Sequence, residues 1–108
     1  MQSEKHKAGT DIFKEGDAGD RMYVIAEGEV ELIVNGKVIA TIAKGGIFGE
    51  MALIDNKPRS ATARAKTDCE LGCIDEVRFL KLVHQKPSFA LEVMKVLVER
   101  LRLMVTKA

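Results

Sequence analysis

The sequence contains no tryptophan, two prolines, two cysteines and two histidines in 108 residues. Each shortage closes off a class of function. His6 and His84 are isolated, so a metal-centred barrel of the cupin type has no histidine cluster to build on, and zinc lacks a ligand set. The same scarcity leaves no visible nucleophile–base pair, so an enzyme is not expected. Cys69 and Cys73 share one strand-like run, four residues apart, which separates their Cα atoms by about 13 Å and prevents a bridge between them. They read as small core residues in a reducing compartment. An excess of one charge is also missing. Seventeen Lys+Arg against 16 Asp+Glu leave +1, which argues against binding nucleic acid through a broad positive field. No run approaches the roughly 18 apolar residues of a membrane-spanning helix. Residues 1–7 are polar and lack the apolar centre of a signal peptide, so a cytoplasmic location is expected.

What remains is the composition of one small globular domain. The hydrophobic fraction is 46%, too high for a disordered chain. A chain this long can bury one core without metals or disulfides.

The first two thirds reads as β. Residues 22–25 and 29–34 are strand-like, with Val30, Leu32 and Val34 on one face. Asn35-Gly36 then separates them from a run at 37–42. That pair between two strands predicts a tight hairpin, because both central positions need positive φ. The implied register sets Ile33 against Val38 and Leu32 against Ile39. Further short strands are expected near Ile47, at 60–65 and at 70–75, in a small barrel or sandwich. The last third reads as helix. Residues 76–85 form a short amphipathic segment, Pro87 breaks the chain, and Ser88 can cap a second helix over 88–106. That helix carries two apolar stripes, Phe89, Val93, Val96 and Leu103 on one, Met94, Leu97, Leu101 and Met104 on the other. The second stripe suits a homodimer or docking surface, or else cover for the chain's own barrel.

The chemistry concentrates in residues 45–63, Gly-Gly-Ile-Phe-Gly-Glu-Met-Ala-Leu-Ile-Asp-Asn-Lys-Pro-Arg-Ser-Ala-Thr-Ala. Gly49 permits a sharp turn after a strand. Glu50 opens a short helical turn and can accept from a hydroxyl or amine, while repelling a phosphate. Arg59 suits bidentate contact with a phosphate. The hydroxyl of Ser60 and the backbone N–H groups at Ser60 and Ala61 add donors. Gly49, Ala52, Ser60 and Ala61 are small enough for close approach. Taken singly, these pieces also fit a turn, a solvated arginine, or a surface ion pair of Glu50 and Arg59 worth up to about 1 kcal/mol. In this order they describe a site for a ribose and one phosphate.

The run Phe48-Gly49-Glu50-Met51-Ala52-Leu53-Ile54, followed after four residues by Arg59-Ser60-Ala61-Thr62, resembles the phosphate-binding cassette of the cyclic nucleotide-binding domains. These occur in catabolite activator proteins, in regulatory subunits of cyclic-AMP-dependent protein kinase and in cyclic-nucleotide-gated channels. Residues 12–25 and Gly28-Glu29-Val30 resemble the family's early barrel pattern, and the likeness runs over about residues 9–104. It implies a mainly β fold with C-terminal α, an antiparallel β-roll of jelly-roll-like form followed by two helices. The organisation it implies is one domain over 1–108: a polar tail at 1–8, the β-roll at 9–75 with its cassette at 45–63, a hinge helix at 76–85 and a lid helix at 88–106.

The resemblance also implies roles. Glu50 would accept from the ribose 2′-hydroxyl, and Arg59 would pair with the cyclic phosphate. Ser60 and Ala61 would donate to that phosphate. Phe48, Gly49, Met51 and Ala52 would complete the ligand-binding set, Met51 touching the base. Asp20 would hold Arg59 from behind, although an Asp in a Gly-Asp turn also caps loops. Arg100 would reach the purine from the lid, or else be a solvated helix arginine. The implied ligand is cyclic AMP, with cyclic GMP as the rival because Ser60 could meet a guanine amino group. No cofactor, metal, nucleic acid or membrane insertion is implied. Binding would bias one arrangement of the C-terminal helices through a hinge near residues 75–77. The rival readings are a nucleotide-insensitive dimerisation module and the sensor of a larger channel. Only twelve residues precede Phe13, so the helical segment that usually comes before the family's barrel is expected to be short or absent.

Overall fold

The structure is a computed structural model that describes residues 2–106, with side chains as far as Leu103. Eight strands come first. They are β1 (Gln2–His6), β2 (Asp11–Phe13), β3 (Arg21–Glu27), β4 (Val30–Val34), β5 (Lys37–Ile42), β6 (Ile47–Phe48), β7 (Thr62–Ala65) and β8 (Cys69–Asp75). A short helix, α1 (Glu50–Asp55), interrupts them between β6 and β7. Two helices follow, α2 (Glu76–Gln85) and α3 (Ser88–Thr106).

The strands form two four-stranded antiparallel sheets, ordered β1-β8-β3-β6 and β2-β7-β4-β5. One core joins them. Tyr23, Ile25 and Leu71 come from the first sheet; Val30, Leu32, Ala63 and Ala65 from the second. Alternation along β8 and β4 supplies this inner face. Cys69 and Cys73 are buried in it without a bridge, as their spacing on one strand requires.

The hairpin at Asn35-Gly36 forms with φ of 51° and 76°, the left-handed pair that a two-residue turn needs. Its register corrects the sequence expectation in one place. Ile33 faces Val38 as expected, but Leu32 faces Ala40 rather than Ile39. A bulge at Ile39 adds one residue to β5 and leaves that side chain exposed.

The N-terminal segment is a second correction. Residues 2–6 are not a tail but an edge strand, paired with β8 from Gln2↔Cys73 to His6↔Cys69. Its residues are mostly polar because much of an edge strand meets solvent, so apolar alternation could not reveal it. Glu4 and His6, two apart and therefore on one face, pair at 2.9 Å.

One compact unit ends at Glu76 and a second begins at Val77. In the second, Pro87 separates the helices, and Phe79 meets Phe89 edge-on at 5.7 Å. Along α3, Val93 is buried, Phe89, Val96 and Leu97 are half-buried, and Met94, Leu101 and Leu103 are exposed. The side chain of Met104 lies outside the described residues.

Candidate functional site

Strand β6 runs into α1 through Gly49, which caps the helix at φ 79°. Asn56 ends it in the same left-handed region, its N–H bonded to the carbonyl of Ala52. Two reversals within eight residues fold the chain tightly back toward Arg59. Gly49 has a second reason to lack a side chain: a Cβ there would lie 2.8 Å from Arg59 Nη1.

Arg59 is the centre of the arrangement. Its Nη1 donates to the Gly49 carbonyl and its Nη2 to the Arg21 carbonyl, each at 2.8 Å. Its guanidinium carbon sits 4.0 Å from the centre of the Phe13 ring. Its main chain is clamped too: Arg59 N–H donates to Asp17 O at 2.7 Å, and Gly16 N–H to Arg59 O at 2.8 Å. The loop that supplies these partners, residues 14–20, is closed by Lys14 N–H on the Asp17 carboxylate. Gly19 of that loop lies directly against Nε, where a Cβ would come within 2.4 Å. Burial holds the guanidinium below its usual pKa, yet far from losing its proton.

Among the described residues, the buried polar or charged side chains are Glu50, 1% exposed, and Arg59, 6% exposed. Burying charge is costly unless it is paired or used. Both residues belong to the same short segment, one at each end of the α1 excursion.

The other expected residues sort as follows. Ala52 is buried and Ala61 half-buried, both small beside the site. The Ser60 hydroxyl meets the Met51 sulfur at 3.6 Å, so these two residues face one another. The Phe48 side chain is wholly buried, stacked on Tyr23 at 5.1 Å and tilted against Phe13 at 6.0 Å, so it packs in the aromatic core beneath this segment. Asp20 bonds a different arginine from the one expected. Its side chain is 79% exposed and accepts from Arg21 Nε at 2.9 Å, not from Arg59. That bond holds the Asp20 carboxyl below its usual range, and Arg59 reaches it only through space. A buried guanidinium prefers the fixed carbonyls of Gly49 and Arg21 to a solvated carboxylate beyond hydrogen-bonding reach. Arg100 lies on α3, in the second compact unit, half-buried. Phe13, Gly19 and the carbonyl of Arg21 were not singled out as site components in the sequence. Their signal is geometric: a ring, a missing Cβ and a main-chain acceptor carry no motif of their own.

Comparison with known proteins identifies the family and the fold. Residues 3–86 match the cyclic nucleotide-binding domain family. The chain is 40% identical over 84 residues to a cAMP-dependent protein kinase regulatory subunit of Schizosaccharomyces pombe, covering 77% of this chain and 20% of that protein. It thus spans about a fifth of that relative's length. The catabolite activator protein of Thermus thermophilus superposes with a TM-score of 0.87 at 33% identity, over 98% of this chain and 52% of that one. A structure described as cAMP-bound PfPKA-R superposes at 0.73 with 38% identity, over 76% of this chain and 29% of that one. With two antiparallel sheets followed by helices and a family match over most of its length, this chain belongs to the cyclic nucleotide-binding domain family.

Proposed function

We propose that this domain binds cyclic AMP through Glu50 and Arg59 and reports binding as a shift of α2 and α3. The observation that carries the reading is the joint burial of those two side chains at the two ends of one cassette. Arg59 Nε has no hydrogen-bond partner among the described residues, so the guanidinium keeps donor capacity beyond its two carbonyl bonds. A cyclic phosphate is an acceptor of matching charge and geometry. Glu50 then accepts from the ribose 2′-hydroxyl. Ser60 and Ala61 donate to the phosphate, and Met51 lies beside the base. Because the charged pair is sheltered, ligand entry requires α1 to give way and close again. That closure is the event passed toward the helices near residues 75–77. Two or three charge-assisted bonds at about 1.5–3 kcal/mol each, with contact to the base, reach micromolar affinity, about −8 kcal/mol. The name of the cAMP-bound structure above supports cyclic AMP as the ligand; a hydroxyl at Ser60 keeps cyclic GMP as the competitor to test.

Calorimetry with both nucleotides tests the reading. Tighter binding of cyclic AMP is expected, together with a loss on the order of 100-fold in Arg59→Lys, which keeps the charge and loses the fork. Tighter binding of cyclic GMP overturns the ligand choice. Unchanged affinity in Arg59→Lys overturns the site. The absence of binding by either nucleotide favours a dimerisation module instead. The stripe of Met94, Leu97, Leu101 and Met104 on α3, in which Met94 and Leu101 are exposed, would then supply its contact, and sedimentation would detect it.

A further inference from the structure

The aromatic ring of Phe13 is a part of the site that no motif marks. Strand β2 shifts register between Asp11 and Phe13, an irregularity that re-aims the side chain at its end. There the ring is half-buried between two very different neighbours. On one side lie Tyr23 and Phe48, with ring centres 6.2 and 6.0 Å away. Over the ring lies the Arg59 guanidinium, 4.0 Å from ring centre to carbon. A Cβ on Gly49 would come 3.4 Å from the ring edge, so the same ring also lines the turn that opens the cassette.

We propose that Phe13 is a positioning residue for phosphate recognition: its π face fixes the plane of the Arg59 guanidinium. The two carbonyl bonds hold one end of the fork but leave it able to tilt about the line joining them. A flat ring beneath the guanidinium removes that tilt. The negative face of the ring also offsets part of the cost of keeping this cation out of water. A leucine of similar bulk fills the space and supplies neither effect. The proposal rests on the reading that Arg59 contacts the phosphate. Its coupling to Phe48 and Tyr23 follows from the shared ring contacts, so the aromatic core bears directly on the aim of one charged group.

The test is calorimetry of cyclic AMP binding by the full chain with fluorinated phenylalanines placed site-specifically at position 13. Fluorine weakens the π face and nearly preserves shape. Affinity is expected to fall stepwise from phenylalanine through the mono- to the trifluoro ring, roughly tenfold in all. Melting of the nucleotide-free protein is expected to drop slightly across the series, because a weaker ring face offsets less of the cost of burying the Arg59 cation. Phe13→Leu should weaken binding by a similar factor, and Phe13→Tyr should keep it within about twofold. In an Arg59→Lys background Phe13→Leu should add little, because the planar partner is gone. Flat affinity across the fluorinated series overturns the proposal, as does an equal loss from Phe13→Leu in both backgrounds. Those results leave the phosphate site standing. Full affinity in Arg59→Lys alone overturns the site and this proposal together.

Discussion

Arg59 Nη1 donates to the carbonyl of Gly49 at 2.8 Å, ten residues earlier in the chain. The bond ties the two ends of the cassette to each other, so the turn that starts α1 and the arginine that follows it form one unit. Removing the guanidinium therefore does more than remove the proposed phosphate contact. Arg59→Ala strips the side-chain donor from two carbonyls, Gly49 O and Arg21 O. Loss of about 1–3 kcal/mol of stability without nucleotide is expected, along with loss of binding. Urea unfolding measures it; an unchanged midpoint would show that the carbonyls find other donors at no cost.

Gly49→Ala should be damaging on two counts. The residue sits at φ 79°, where an L side chain costs about 1–2 kcal/mol, and its Cβ would crowd Nη1 at 2.8 Å. Both the thermal midpoint and cyclic nucleotide affinity should drop. A variant that melts as the parent does would mean the turn relaxes to negative φ.

Gly19→Ala separates aim from stability. Gly19 has no left-handed φ, but its Cβ would meet the flexible end of Arg59 at 2.4 Å and Ala52 Cβ at 2.9 Å. The guanidinium is the softer neighbour and must shift. A tenfold or greater loss of affinity on the order of 1.4 kcal/mol is expected, with a smaller loss of folding stability. Calorimetry beside thermal melting decides; equal affinity would show that Nε plays no part in recognition.

Asp20→Ala should do little. Its carboxylate is solvated and bonds Arg21, an exposed type of pair worth about 0–1 kcal/mol. Binding within threefold of the parent is expected, since the carbonyls rather than Asp20 hold Arg59. A large loss would mean that the carboxylate swings onto the guanidinium when nucleotide is bound.

Alkaline pH should weaken the fold through Cys73 and Tyr23. Burial pushes the Cys73 thiol from 9.0 up to about 11 and the Tyr23 phenol from 10.0 up to about 12. Both folded-state values are raised, so the stabilisation is complete below the unfolded values and is lost as pH rises through the folded ones. Thermal midpoints should hold to about pH 9 and fall between pH 9 and 12, with Cys73→Ala removing the earlier part. A flat profile to pH 11.5 would contradict the burial of both groups.

Much of this was readable one residue at a time. Asn35-Gly36 specified its turn because few dipeptides tolerate two positive φ values in succession. Glu50 and Arg59 stood out because their spacing and small neighbours suit one ligand. The break at Pro87 and the limits of α2 and α3 followed from backbone rules that act locally. What local rules missed is equally specific. The register past Ile33 slipped because a bulge answers to the twist of the sheet, not to the residue that bulges. Strand β1 was invisible because its partner lies some seventy residues away and its side chains are polar.

Local reading of the chain was enough to single out the residues of the proposed site: one carboxylate, one guanidinium, and glycines where no side chain fits. What holds them depends on the folded chain. The supports of Arg59 are the carbonyls of Gly49 and Arg21 and the face of Phe13, supplied by three separate stretches of chain. Every residue has a carbonyl, and a phenylalanine in a strand reads as core. Such groups acquire a role only when folding brings them within a few ångströms of a buried charge, whose cost of leaving water selects the nearest fixed dipoles.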